Sequence, residues 1–327
     1  MPERNGGRAR MTEQSTSSVV IVNYNGGELL APCVESYLSQ STPVVELVIV
    51  DNCSTDDSIA LTRERFPDIP VIVMPENLGY GAAINAGLRA TTGDIVVLSN
   101  NDLRVDDGWL MAVTKCLRSN PQCGLVASKV LYMADPSKIN SVGTLLYGDL
   151  TAVNKGLDEM DRGQYDTREE VFGAYGAVMA FRREVFTVIG EFDEEYFLFK
   201  EEDDITLRMH RAGWHTLYEP TARVFHRRSL NTGLYSPLKL YYSERNRIWN
   251  VAKHLPLRCL VTTLPHVSAR YWGNMMPKSN TTSDKAKAVA RASKVKLLTT
   301  IVRAWLDAFL RLPHMLGKRR QYRAFSK

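Results

Sequence analysis

Four consecutive acids, Glu201-Glu202-Asp203-Asp204, follow the aromatic stretch Phe197-Leu198-Phe199 and precede an apolar, helix-like run carrying Arg208 and Arg211. The dipole of a helix favours acids at its start, which accounts for one or two of them. It does not account for four acids directly after an aromatic segment that must be partly buried. Like charges packed together raise one another's pKa, which suits a general base. Another carboxylate has a different setting: Asp102 ends Leu98-Ser-Asn-Asn-Asp102, a tight polar turn after an apolar run. A carboxylate oxygen is a ligand for a hard cation, and such a cation can bridge a diphosphate and neutralise the charge that develops as it departs. Asn100 can add only a neutral amide oxygen. His226, in Val224-Phe-His-Arg-Arg-Ser229, is a further candidate. A histidine after a strand is commonly structural, but Arg227 and Arg228 beside it favour a phosphate-facing role.

These groups need a frame that brings them together. Ser18-Val-Val-Ile-Val-Asn23, Val44-Val-Glu-Leu-Val-Ile-Val50, Val71-Ile-Val-Met74 and Ile95-Val-Val-Leu-Ser99 are short apolar runs rich in β-branched residues. Continuous rather than alternating apolar character marks strands covered on both faces. Helix-length segments lie between them at 27–40, 55–66 and 79–91, with Ser54 or Thr55 placed to cap the second. The alternation predicts an α/β fold, a mostly parallel sheet flanked by helices. Polar residues collect where the strands end: Asn23 and Asn25, Asp51, Asn77, then Asn100 and Asp102. Such residues also make turns. Four consecutive strands ending this way favour a ligand site, because open α/β sheets bind ligands beyond the carboxyl ends of their strands. Residues 128–172 are turn-rich without a clear period. Val178-Met-Ala-Phe181 reads as a further strand, and Ile205 to Ala212 as a helix stopped by Gly213.

The 327 residues suffice for one large α/β domain and an extension. Cys33, Cys53, Cys116, Cys123 and Cys259 are odd in number, scattered and without a CxxC pair. That argues against a zinc site or a disulfide framework and fits a reducing compartment. Charge divides the chain: residues 251–327 hold 16 Lys and Arg against Asp284 and Asp307, leaving 25 basic and 34 acidic residues before them. Such a block meets phosphates, on nucleic acid or on anionic lipid. Residues 1–16 contain Arg4, Arg8 and Arg10 but no apolar stretch, and read as a disordered tail. No run of about 18 uncharged apolar residues predicts a transmembrane helix. Within 297–316, Leu298, Ile301, Val302, Trp305, Phe309 and Leu310 recur at helical spacing, with Arg303, Asp307 and Arg311 on another face. Two readings stand: a helix docked on the body, or an interfacial helix on an anionic membrane, helped by Lys318, Arg319 and Arg320 and by the basic stretch 278–296. No recognisable nucleic-acid module accompanies the charge, so nucleic acid is not an expected partner.

The ordered pieces Val20-Ile-Val-Asn-Tyr-Asn25, Val50-Asp-Asn-Cys-Ser-Thr-Asp56 and Asn77-Leu-Gly-Tyr-Gly81 with Asn85 and Gly87 run on to Leu98–Asp102. They continue through Gly173–Met179, Ile189-Gly-Glu-Phe-Asp193, the acidic cluster and Tyr241-Tyr-Ser-Glu-Arg-Asn-Arg247. Over 17–250 this order and spacing resemble the family 2 glycosyltransferases of the GT-A fold, in particular a rhamnosyltransferase-like branch. The resemblance implies a catalytic domain over 17–250 followed by a basic amphipathic extension over 251–327. It implies a donor site in which Asp51 recognises the base, while Asn77, Gly79 and Asn85 line the nucleotide pocket beside Asn23 and Asn25. Asn100-Asn101-Asp102 would stand in place of the family's DxD motif, with Asp102 and His226 holding Mg²⁺ or Mn²⁺. Family members invert the anomeric centre by direct displacement, so one carboxylate deprotonates the acceptor. Relatives carry Glu-Asp-x-Asp with an arginine four residues after the last Asp. Anchored on Arg208, the pattern makes Asp204 that last Asp and Glu202 the base; a one-residue slip makes it Asp203. Glu replaces the usual Asp at 202, and Asn100 removes a charge from the metal motif.

The expected reaction is transfer of rhamnose or a similar hexose from a dTDP- or UDP-sugar to a lipid-linked or cell-surface saccharide, polyprenyl-linked acceptors among them. The expected location is peripheral, on the inner face of the cell membrane. Alternatives are another donor sugar, a polyprenyl-phosphate acceptor, or a nucleotide-sugar-binding protein impaired in catalysis. A dehydrogenase would need GxGxxG after the first strand; Gly79 and Gly81 follow a later one, and position 84 is Ile84. A nucleotidyltransferase would need a basic residue in the glycine turn, which Asn23-Tyr-Asn-Gly-Gly27 lacks.

Overall fold

The computed structural model describes residues 15–227, 236–260 and 294–323. The four apolar runs become β1 (Ser17–Asn23), β2 (Glu46–Asp51), β3 (Val71–Val73) and β4 (Ile95–Asn100), paired in parallel in the order β4-β1-β2-β3. Both faces are covered. Val19 and Ile21 pack toward α1 (Leu30–Leu38), which follows a short 3₁₀ turn at Gly27–Leu29. Val20 and Val22 pack toward α3 (Tyr80–Arg89). This two-sided burial is why the runs show no polar alternation. At Gly87 the helix lies so close to β1 that a Cβ would sit 2.2 Å from the Val20 side chain.

Between β2 and β3, α2 (Ser58–Arg65) starts later than expected, and neither Ser54 nor Thr55 caps it; Asp57 precedes it without a side-chain bond. The Ser54 hydroxyl instead donates to Asp51 Oδ1 at 2.6 Å. After β4 come β5 (Leu103–Val105), α4 (Trp109–Ser119) and the long buried β6 (Cys123–Tyr132). The turn-rich region then holds four three-residue strands: β7 (Ile139–Ser141), β8 (Thr144–Leu146), β9 (Ala152–Asn154) and β10 (Glu169–Val171). Strands this short are below the length at which a period shows.

β11 (Val178–Arg182) runs antiparallel to both β4 and β6 and turns the parallel half into a mixed sheet. α5 (Glu184–Ile189), α6 (Glu201–Arg211) and β12 (His215–His226) follow, and β12 pairs in parallel with β6. The sheet order is β10-β12-β6-β11-β4-β1-β2-β3, with β5 on β12 and β7 on β6, while β8 and β9 pair separately.

The expected boundary at 250 falls inside α7 (Pro237–His254), whose first turn combines Pro237 with Ser236 Oγ accepting from the Lys239 amide. Two further helices, α8 (Lys294–Leu310) and α9 (Leu312–Arg323), pack on it. Trp249 Nε1 donates to the Ala308 carbonyl at 3.3 Å, and the Tyr241 hydroxyl donates to Asp307 at 2.6 Å. The docked reading of this segment therefore describes one face of α8. Among the described residues, no helix is long and apolar enough to cross a membrane. The tail at 1–14, Arg228 and most of the basic stretch 278–296 lie outside the described residues.

Candidate active site

The carboxyl ends of β1, β2 and β4 are tied by one amide. Asn23 is fully buried; its Nδ2 donates to Asp51 Oδ1 (2.8 Å), Ser58 Oγ (2.9 Å) and Ser54 Oγ (3.0 Å), and its Oδ1 accepts from Asn101 (2.6 Å). Asn23 and Asn101 thus spend their side chains on each other and on Asp51. Asn25, at φ 51°, accepts from the Thr55 amide at 2.8 Å and fixes the turn after β1. Asn77 and Gly79 are organised by Asn52, which the sequence reading did not single out. Asn52 Nδ2 donates to Asn77 Oδ1 (2.9 Å) and the Gly79 carbonyl (3.2 Å), and its Oδ1 accepts from the Leu78 amide (3.1 Å). Asn85 lies apart from this group. Buried on α3, it exchanges hydrogen bonds with the Phe192 backbone and donates to Glu194.

On the other side of β4, Asp102 and His226 come together. β12 pairs with β5 so that His226 stands opposite Leu103, which brings His226 Nε2 to 3.3 Å from Asp102 Oδ1. His226 Nδ1 lies 2.9 Å from Asn140 Oδ1, and the Tyr175 ring meets the imidazole edge-on. With Asn140 accepting from Nδ1–H, a neutral imidazole turns its Nε2 lone pair toward Asp102. Asp102 Oδ1 is buried without a hydrogen-bond donor. Two electron-pair donors facing each other, one orphaned, form a pair that a hard cation fits. Among the described residues no group of three or more His, Cys, Asp or Glu converges, so the pair would supply two ligands. Mg²⁺ and Mn²⁺ commonly take their remaining ligands from water and phosphate oxygen.

The four acids of the run differ in environment, and the first, Glu201, is buried, its carboxyl pushed well above the usual range by burial and then by Glu202. Glu202 is half-buried, its carboxyl about 3.5 Å from where a Cβ on Gly176 would lie, and the Gly176 carbonyl accepts from the Tyr80 hydroxyl at 3.0 Å. Burial, with Asp203 next to it, pushes the Glu202 carboxyl up to about 7. Burial also raises the carboxyl of Asp203, against the opposing pull of Lys200 Nζ at 3.0 Å. Burial would raise Asp204 too, but Lys253 (2.7 Å), Arg208 (3.0 Å) and His254 (2.7 Å) hold it well below the usual carboxylate range. Tyr80, also missed in the sequence, has its hydroxyl pushed well above the usual range by burial and then by Glu201 and Glu202, with a smaller effect from Asp102. It therefore stays a neutral donor between the acidic helix and the Asp102 end.

The strap before α6 is strained. Phe197, Phe199 and Lys200 have φ of 61°, 64° and 73°, a region that non-glycine residues seldom occupy. α7 holds it there. The buried Asn246 amide donates to the carbonyls of Tyr196 (2.9 Å), Leu198 (2.9 Å) and Phe199 (2.6 Å), and Asn250 donates to that of Lys200 (3.2 Å). The Phe197 carbonyl accepts from the Tyr80 amide at 2.7 Å, which joins the strap to the start of α3. Gly79, at φ +89°, is required at that contact, because a Cβ there would lie 2.3 Å from the Phe197 oxygen.

A sheet with polar residues beyond its parallel strands, a carboxylate–imidazole pair and an acid raised by burial is thus assembled from distant parts of the chain. The sequence profile of glycosyl transferase family 2 matches residues 18–190, more than half of the protein. The chain belongs to that family. This glycosyltransferase is 27% identical over 239 residues to the N-acetylglucosaminyl-diphospho-decaprenol L-rhamnosyltransferase of Mycobacterium tuberculosis, covering 66% of this chain and 77% of the relative. Its fold is shared with solved GT-A structures. One is GalNAc-T7 with UDP, GalNAc and Mn²⁺ (TM-score 0.64, 16% identity), covering 89% of this chain and 57% of that one. Another is the mannosyltransferase PcManGT of Pyrobaculum calidifontis with GDP-Man and Mn²⁺ (TM-score 0.54, 17% identity), covering 96% and 87%. The mixed sheet and flanking helices are those expected of the fold.

Proposed function

We propose that this glycosyltransferase moves rhamnose or a similar hexose, with inversion, from a dTDP- or UDP-sugar to a polyprenyl-linked saccharide at the cytoplasmic face of the cell membrane. The observation that carries the reading is Glu202: a half-buried carboxyl raised to about 7, beside Gly176 and across Tyr80 from the Asp102 end. A base with a pKa near the working pH accepts a proton most effectively. Glu202 takes the proton of the acceptor hydroxyl as its oxygen bonds to the anomeric carbon, and the bond from that carbon to the diphosphate breaks on the opposite face. Asp102 and His226 would hold a divalent cation, which would supply positive charge to neutralise that of the departing diphosphate. Asn23, Asn101 and Asp51 position the strand ends, Asn25 fixes the turn beside them, and Asn52 shapes the 77–79 turn under the nucleotide. Asn100 contributes at most a neutral amide. Asp203 and Asp204, paired with Lys200 and Lys253, position the helix rather than touch substrate. Asn85 acts through the Phe192 loop. The mycobacterial relative supports rhamnose and a polyprenyl diphosphate-linked acceptor.

The test is a panel of labelled dTDP- and UDP-sugars, with a polyprenyl diphosphate-linked N-acetylhexosamine as acceptor and with Mg²⁺, Mn²⁺ or chelator. Metal-dependent product with inverted anomeric configuration is expected. Asp102→Ala should abolish metal-dependent nucleotide binding by calorimetry. Donor binding without product from any member of the panel, or undiminished metal dependence in Asp102→Ala, would overturn the reading.

A further inference from the structure

Helix α8 has two apolar faces, and the body uses one. Ile301, Ala304 and Ala308 are buried against α7, where Ile248 and Trp249 meet Met315 of α9. Trp305 is half-buried and packs on the same cluster, so it belongs to the docked side. The adjacent arc is bare: Leu298 (57% exposed), Val302 (46%), Leu306 (60%) and Leu310 (79%) follow at four-residue spacing, with Phe309 (39%) among them. At 3.6 residues per turn these five side chains form one stripe along the helix. Lys296 and Arg303 are exposed along one margin, and Arg311 lies just beyond its end.

Large aliphatic side chains left this exposed in one contiguous stripe mark an interaction surface. Charge decides what covers it. The segment 251–327 carries 16 basic residues against two acids, so a second copy would bring like charge to the same place. An anionic bilayer surface offers acyl chains to the stripe and phosphates to its basic margin. We propose that α8 lies in the plane of an anionic membrane with Leu298, Val302, Leu306, Phe309 and Leu310 in the headgroup–acyl boundary. This deepens the membrane partner of the proposed function but stands on the helix geometry. Because the other face of α8 is docked on α7, and α7 holds the strap through Asn246 and Asn250, lipid binding at the stripe would set the orientation of the acidic helix to the bilayer.

The experiment is vesicle co-sedimentation of the full chain on phosphatidylcholine with and without phosphatidylglycerol, at low and high salt. The parent is compared with Val302→Glu/Leu306→Glu and with Lys296→Gln/Arg303→Gln. The glutamate pair leaves the docked face intact, the glutamine pair removes the Arg303 guanidinium from over the Tyr241 ring of α7, and thermal melts with UDP or dTDP binding verify the fold of both independently of lipid. Binding only to anionic vesicles is expected, weakened but not abolished by salt. The glutamate pair should lower it at least about tenfold through lost apolar insertion, and the glutamine pair should remove part of the salt-sensitive fraction. Equal vesicle binding by the parent and the glutamate pair would overturn the proposal. So would a parent dimer in size-exclusion chromatography that the glutamate pair splits, since the stripe would then be covered by a second copy. Absence of product from the parent with every donor, with its vesicle binding retained, would refute the catalytic reading and leave this one standing.

Discussion

Replacing Glu202 by Gln should make the protein more stable at neutral and alkaline pH while disabling it. The Glu202 carboxyl rises from 4.5 to about 7 on folding, burial being the main cause. An acid raised in this way binds its proton more tightly in the folded state, so its stabilising contribution is complete below about pH 4.5 and is lost as pH rises through about 7. At about 1.4 kcal/mol per unit, the ionised side chain costs the folded state at most about 3 kcal/mol, and less where water reaches the half-buried group. Gln keeps the shape and carries no charge to desolvate. At pH 8 the variant should therefore gain roughly 1–3 kcal/mol over the parent, and at pH 5 most of that gain should vanish. Urea unfolding at the two pH values measures the difference directly, provided the denaturant slopes agree. Turnover should fall at least about 10²-fold with donor affinity retained, and the parent's turnover should rise with pH through about 7. A stability change of the same size at both pH values would refute the argument that burial of this carboxyl sets its pKa. Near-parental turnover in Glu202→Gln, with collapse in Asp203→Asn, would place the base one residue further along.

Gly79→Ala should destabilise by about 1–3 kcal/mol and lower turnover, because the new methyl meets the Phe197 carbonyl and the backbone is left-handed there; thermal melts and kcat measure both. Asn246→Ala removes the donor shared by three strap carbonyls, so kcat should fall while donor affinity in calorimetry holds, since the residues of the 77–79 turn keep their Asn52 bonds. Lys253→Met takes the shared cation from the buried Asp193 and Asp204, which keep Lys318 and Arg208 respectively, and should cost about 1.5–3 kcal/mol in urea unfolding at pH 7.

The parallel half of the sheet was legible because its strands are long enough to show apolar runs and are buried on both faces. The polar residues at their ends followed from that reading. Residues 139–171 were opaque, since three-residue strands carry no period, and Asn140, the partner of His226, gave no signal there. Ser54 reads as a helix cap because serine favours that role; with Asp51 and Asn23 in reach, its hydroxyl bonds to them instead. Tyr80 and Asn246 did stand inside recognisable motifs, Asn77–Gly81 and Tyr241–Arg247, but their roles are long-range hydrogen bonds that no local pattern encodes.

The acidic run shows most clearly why the site needed three dimensions. In sequence its four acids are equivalent, and register against a pattern was the only means of ranking them. In the fold, Lys253 and His254 arrive from the far end of α7 and claim Asp204, Lys200 claims Asp203, and Glu202 is left beside the loop that Tyr80 also touches. The same helix end holds the strained strap. Three non-glycine residues in the left-handed region persist only where surrounding contacts over-determine them, and α7 supplies those contacts through the Asn246 and Asn250 amides and the Arg245 guanidinium, which donates to the Tyr196 carbonyl at 2.9 Å. Residues 237–254 are therefore structurally continuous with the acidic helix and its strap. A truncation near residue 250 would remove Lys253 and His254 from Asp204 and disturb the acidic helix along with any membrane contact. Separating catalysis from lipid binding thus requires changes confined to the outer face of α8, which touches none of these groups.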